Sequence, residues 1–73
     1  MSVDSARAIA PIFDPARLKP ARQARGLLKS QLAELVQVSP AAIGQFESGT
    51  AKPSANTLAQ LALALAFPVE FFA

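Results

Sequence analysis

Twice in this chain a side-chain acceptor is followed at once by proline, at Asp14-Pro15 and at Ser39-Pro40. A carboxylate or hydroxyl accepts from the free N–H groups of a helix's first turn, and proline at the first helical position has no N–H to leave unsatisfied. Each pair predicts a helix start, Gly26 and Gly49 predict stops, and Ser54 caps a further start. Between these marks the apolar residues recur at helical spacing. Leu18, Ala21 and Ala24 fall on one face of a first helix. Leu32, Ala33 and Val36 do so in a second, from Lys29 to Val36. The third opens at Pro40 with an inward stripe of Ile43, Phe46 and Glu47 and ends before Gly49. Leu58, Leu61, Ala62 and Leu65 line a fourth, and Pro68 opens a last helical turn carrying Val69 and Phe72. Pro20 fits either a kink in the first helix or a start near Lys19 with Pro20 at its first position. Residues 1–13 show no sustained period and read as a flexible N-terminal arm, from which Ile12 and Phe13 can fold back on the body. Residues 14–73 read as the folded domain.

With no cysteine in 73 residues, no disulfide supports so small a core. Apolar content of 52%, much of it alanine and leucine without tyrosine or tryptophan, favours helix over strand. The absence of histidine removes the commonest general base and zinc ligand, the serines have no evident base, and no catalytic, metal or cofactor site is expected. The strongly apolar stretch Leu58–Val69 is interrupted by Gln60 and Pro68 and falls short of the roughly twenty residues of a membrane span. The N-terminus makes a poor signal peptide, so the domain reads as soluble and cytoplasmic. Charge is unevenly spread: residues 1–29 hold six of the seven basic side chains against Asp4 and Asp14, whereas residues 30–73 hold Lys52 against Glu34, Glu47 and Glu70. A basic first half suits a polyanionic partner, although a solvated face explains it as simply.

Two short helices separated by Gln37-Val38-Ser39 have the spacing of a helix-turn-helix, whose second helix lies in the major groove of DNA. The segment from Ala24-Arg25-Gly26-Leu27 through Leu32-Ala33, Val38-Ser39, Ile43 and Phe46-Glu47 to Gly49 resembles the Cro/repressor (Xre-like) family. The likeness continues through Pro53-Ser54, Thr57-Leu58, Leu61-Ala62 and Ala64-Leu65, and spans residues 18–73. It implies an all-α fold, a compact five-helix lambda-repressor-like DNA-binding domain. The implied function is sequence-specific binding of double-stranded DNA, as a homodimer on two half-sites, with repression as the usual consequence.

Several roles follow from the resemblance, residue by residue. Leu27, Leu32, Ala33, Val36, Val38, Ile43 and Phe46 lock the two helices together. Arg22 and Glu47 stand where the family places a partly buried ion pair, and Arg22 also stands within reach of a phosphate. The DNA-facing side of the third helix comprises Pro40, Ala41, Gly44, Gln45 and Ser48. Of these, Gln45 has the amide suited to an adenine edge, and the methyl of Ala41 suits a thymine. Lys29, Ser39, Lys52 and Ser48 are the expected phosphate contacts, with Arg17, Lys19 and Arg25 weaker ones. Proline and alanine stand where polar base readers are common, which leaves more of the specificity to DNA shape. Leu28 replaces the usual hydroxyl cap and Gln37 the usual turn glycine, both weakening helix ends.

Three of the five phenylalanines fall in the last seven residues. They either close the core or, at Phe71, make a dimer contact or abut further chain. Asp14–Leu18 and Phe67–Phe72 resemble regulators in which such a domain precedes a zinc-peptidase-like domain. The competing reading from another class is a protein-interaction module of the antitoxin type, with the same fold and little DNA binding.

Overall fold

Short sequence signals set where some of the helices begin. The computed structural model describes residues 3–73 and holds five α-helices: α1 (Val3–Ile9), α2 (Leu18–Ala24), α3 (Lys29–Val36), α4 (Pro40–Ser48) and α5 (Ala55–Leu65). Ser39 Oγ accepts from the Ala42 N–H at 3.0 Å to start α4, and Ser54 Oγ accepts from the Thr57 N–H at 3.2 Å to start α5. Asp14 accepts from the Ala16 N–H at 3.0 Å, but the element it caps is a single 3₁₀ turn, Pro15–Arg17, that leads into α2. Pro20 therefore sits third in α2. Its missing N–H falls among the first four of the helix, which have no intrahelical partner in any case.

The helix ends share one device. Gln37 (φ 60°), Gly49 (φ 82°) and Ala66 (φ 57°) each take the left-handed conformation after α3, α4 and α5. After α3 and α5 the next residue's N–H turns back onto the helix, from Val38 to the Ala33 carbonyl (3.0 Å) and from Phe67 to the Ala62 carbonyl (3.1 Å). Glycine takes this conformation freely, whereas a side chain there costs about 1 kcal/mol. Leu28, at the start of α3, has no acceptor to offer. Half of the missing cap is restored by Gln31, whose Oε1 accepts from the Leu28 N–H at 2.8 Å.

The inward faces meet in one core, in which Leu18, Leu32, Ile43, Leu58, Leu61, Leu65, Val69 and Phe72 are fully buried. Ala33 on α3 is buried in this core, and α3 packs against α4. The C-terminal segment Val69–Phe72 is a 3₁₀ helix that closes the core with Val69 and Phe72. Among the described residues there is no strand, and no helix is long and apolar enough to cross a membrane.

The N-terminal region departs from the expected flexible arm. Met1 and Ser2 lie outside the described residues, but α1 packs on α5 and the C-terminal turn, and the 3₁₀ turn Ala10–Ile12 packs on α1. Ala6 is fully buried, Ile9 and Ala10 are partly so, and Phe13 stacks on Phe72 with ring centroids 6.4 Å apart. The Asp14 N–H donates to the Phe72 carbonyl at 2.7 Å, which ties the two ends of the domain together. Of the two residues expected to fold back, Phe13 does and Ile12 stays exposed. The fifth α-helix is thus N-terminal, not at the C-terminal end.

The left-handed positions give opposite expectations in urea unfolding. Gln37→Gly should stabilise the domain by about 1 kcal/mol, by relieving the side chain's cost at positive φ. Gly49→Ala should destabilise it by about 1–2 kcal/mol, because the new Cβ would also meet Pro15 Cγ at 3.3 Å.

Candidate nucleic-acid interface

Three elements converge on one buried cation. Arg22, in the last turn of α2, donates from Nε to Glu47 Oε2 at 2.7 Å and from Nη2 to Glu47 Oε1 at 3.3 Å. Its Nη1 donates to the Leu27 carbonyl at 2.8 Å, in the loop before α3. Only 8% of the Arg22 side chain and 7% of the Glu47 side chain are exposed. The bidentate geometry fixes the angle of α4 against α2, and the third bond fixes where α3 starts. The same burial corrects the second role expected of Arg22. A guanidinium so enclosed, with all three nitrogens bonded inside, has little surface left for a phosphate, and Arg22 acts as a positioning residue.

With Ile43 and Phe46 turned in, α4 presents Pro40, Ala41, Gln45 and Ser48 to solvent, and Gly44 is half-buried between them. Spacings of three and four residues put these on one helical face. That face has no carboxylate, since the acid of α4 is the paired Glu47. Gln45 is exposed and carries the one side-chain amide on the face. Lys29, first residue of α3, reaches across to it: a Cβ placed on Gly44 would lie 3.8 Å from Lys29 Nζ.

The hydroxyls differ in what they have left to give. Ser39 Oγ accepts the α4 cap bond and keeps its own proton to donate outward. Ser48 Oγ is engaged within the chain, 3.2 Å from the Gln45 carbonyl and 2.8 Å from Thr50 Oγ1. Thr50, exposed in the loop after α4, is the residue that sequence reasoning passed over. Its partnership with Ser48 depends on the turn at Gly49, which spacing alone does not reveal. Lys52, in the same loop, is exposed and donates to the Pro11 carbonyl at 3.2 Å.

Two of the weaker phosphate candidates have structural partners. Arg25 donates from Nε to the Leu65 carbonyl (2.6 Å) and from Nη2 to the Ala66 carbonyl (3.1 Å). It satisfies the free carbonyls at the α5 C-terminus, where a cation also suits the helix dipole. Its guanidinium lies 4.4 Å from the Phe67 ring centroid. Arg17 lies 5.6 Å from the Phe71 centroid and 3.8 Å from Asp14. Lys19 is exposed on α2. Phe71 is half-buried, stacked on Phe67 at 4.6 Å and edge-on to Phe72 at 5.2 Å. No group of three acidic side chains converges as a metal site among the described residues.

A protein-family model described as helix-turn-helix matches residues 18–72, about three-quarters of the chain. No curated protein matches it.

The buried pair sets a clear expectation for urea denaturation. Glu47→Gln leaves the Arg22 charge buried without a counter-charge and should cost about 3 kcal/mol or more. The double replacement Arg22→Met/Glu47→Leu removes both charges and should recover most of that loss.

Proposed function

The chain belongs to the helix-turn-helix family, and from that premise we propose that it is a sequence-specific DNA-binding transcriptional regulator, acting as a repressor by occupying its operator. The observation that carries this reading is the outward face of α4. It is exposed, free of carboxylates, supplied with the Gln45 amide, and held at a fixed angle by a buried ion pair. A helix so presented fits the major groove.

In this reading Gln45 pairs with the N6 and N7 edge of an adenine, and the Ala41 methyl meets a thymine methyl beside Pro40. Ser39, Thr50 and Lys52 flank the recognition helix and hold phosphates, with the hydroxyl of Ser48 orienting Thr50. Exposed N–H groups at the α3 N-terminus add to the phosphate set. Two copies read half-sites about one helical turn apart. The half-exposed Phe71, stacked with Phe67 and flanked by Arg17, is the proposed contact between them.

A second reading has its own support. Leu27, Gln31, Glu34 and Leu35 line an open groove of about 300 Å³ on the outer side of α3. Leu35 in that groove is 60% exposed, and Leu28 at the start of α3 is 64% exposed. Such a surface suits a protein-interaction module of the antitoxin type.

Titration of duplex DNA at low and moderate salt separates the two. Phosphate contacts predict affinity that falls steeply with salt. Lys52→Ala should weaken binding alike on every sequence and reduce the salt slope by about one. Gln45→Ala should relax the preference at one A·T position, worth about 1–3 kcal/mol. No duplex binding at low salt, even by an artificially dimerised form, would overturn the DNA reading and leave the groove as the functional surface.

A further inference from the structure

Gly44 has no backbone reason to be glycine. It lies inside α4, its φ is not positive, and its neighbours Ala41 and Ala42 show that this helix readily uses alanine. Glycine in a helix interior is disfavoured against alanine. What distinguishes the position is its surroundings. A Cβ at residue 44 would lie 3.8 Å from the ammonium of Lys29, in ordinary van der Waals contact with it, so the lysine's charged end rests beside this helix at Gly44. Lys29 has no ion-pair or hydrogen-bond partner among the described residues. Its charge therefore stands unneutralised over the middle of the recognition face, one residue from Gln45.

We propose that Lys29 is a base-reading residue, which reaches across from α3 through the space left by Gly44 to donate to the O6 and N7 edge of a guanine in the major groove. This replaces the phosphate contact expected for Lys29 from the sequence, and it rests on the DNA-binding reading above. The chemistry fits the position. A lysine ammonium offers three donors and no acceptor. In the major groove, guanine presents two adjacent acceptors, whereas adenine and cytosine each present an amino donor that would face the cation. With Pro40, Ala41 and Gly44 contributing no hydrogen-bonding side chain, Lys29 and Gln45 supply the polar readout of the face. They read different bases, a guanine and an adenine.

A side chain longer than alanine at residue 44 would take the same space. Leucine there improves helix propensity and would compete with the lysine for that space.

The test uses duplexes selected from a random library by the wild-type protein at low salt, then rebound by Lys29→Met and Gly44→Leu, with urea unfolding run on each variant. Wild type should prefer guanine at one position of each half-site by on the order of tenfold. The preference should fall when that guanine is replaced by 7-deazaguanine, which lacks N7, and persist with inosine, which keeps both O6 and N7. Lys29→Met should reduce the preference to within about twofold at that position alone, leaving the adenine position read by Gln45 intact. Gly44→Leu should lose the same guanine preference without a loss of stability. Weakening by Lys29→Met that is uniform over all sequences, with a salt slope lower by about one and the guanine preference intact, would overturn the proposal and return Lys29 to the phosphate backbone, with DNA binding still standing. Failure of the wild type to bind any duplex would overturn the DNA reading and this assignment with it.

Discussion

The Arg22 guanidinium holds three parts of the chain at once: its own helix α2, the carboxylate of Glu47 on α4, and the Leu27 carbonyl before α3. Taking two charges out of water costs several kcal/mol per ion, and their attraction offsets this only when the geometry is good and the remaining donors are bonded. Here the bidentate contact and the third bond meet that condition. The net contribution to stability is small, but the penalty for any other arrangement is large. If α4 rotates by one residue, Glu47 leaves Arg22 and a buried cation stands alone. A pair of this kind disfavours helix registers that would separate its two charges. The α4 surface is therefore presented to solvent in one orientation.

The same economy appears at the helix ends. Seventy-three residues leave little apolar area for a core, so free N–H and C=O groups at the ends of short helices are a large share of the total cost. Ser39, Ser54 and Asp14 meet part of it from within their own segments. Arg25 meets another part from across the fold by bonding to the Leu65 and Ala66 carbonyls. Ala66 and Gln37 show the opposite case, in which a side chain accepts a left-handed backbone so that the next residue can turn back on its helix. The ends are tied to the centre as well. Asp14 bonds to Phe72, Pro15 packs against Gly49, and Phe13 stacks on Phe72, so the terminal segments also brace the loop that follows α4.

How much of this was legible in the sequence depended on how local the cause was. Caps and glycine stops act within four residues, and helices 29–36 and 40–48 have the bounds that Lys29, Val36, Ser39 and Gly49 imply. The inward stripes of α3 and α5 were equally plain, because leucine and valine mark a buried face. The helix at residues 3–9 does not stand out in the sequence because its fully buried Ala6 contributes too little apolar area to show a period, and Ile9 is only partly buried. Arg25 reads in the sequence as a weaker phosphate contact because its partners lie forty and forty-one residues away and are backbone carbonyls. A carbonyl leaves no mark in the amino-acid alphabet. The place of the Lys29 ammonium was hidden for a related reason: it depends on the crossing of two helices and on a side chain that Gly44 lacks.

That crossing bears on how specificity is distributed in the proposed complex. A recognition helix that begins Pro40-Ala41-Ala42 can approach the groove floor closely, since nothing bulky stands on its first turn. It gives up hydrogen bonds to base edges there and gains contact with thymine methyls and the groove walls. Close approach is favourable only where the DNA accommodates it, so positions under the first turn are read through shape and deformability. Polar readout would then move toward the middle of the helix, where Gln45 follows Gly44 and the Lys29 ammonium lies 3.8 Å from the place of a Gly44 Cβ. In the proposed complex a short helix with small side chains would borrow a donor from its neighbour, and the fixed angle between α3 and α4 would serve the recognition chemistry as well as support it.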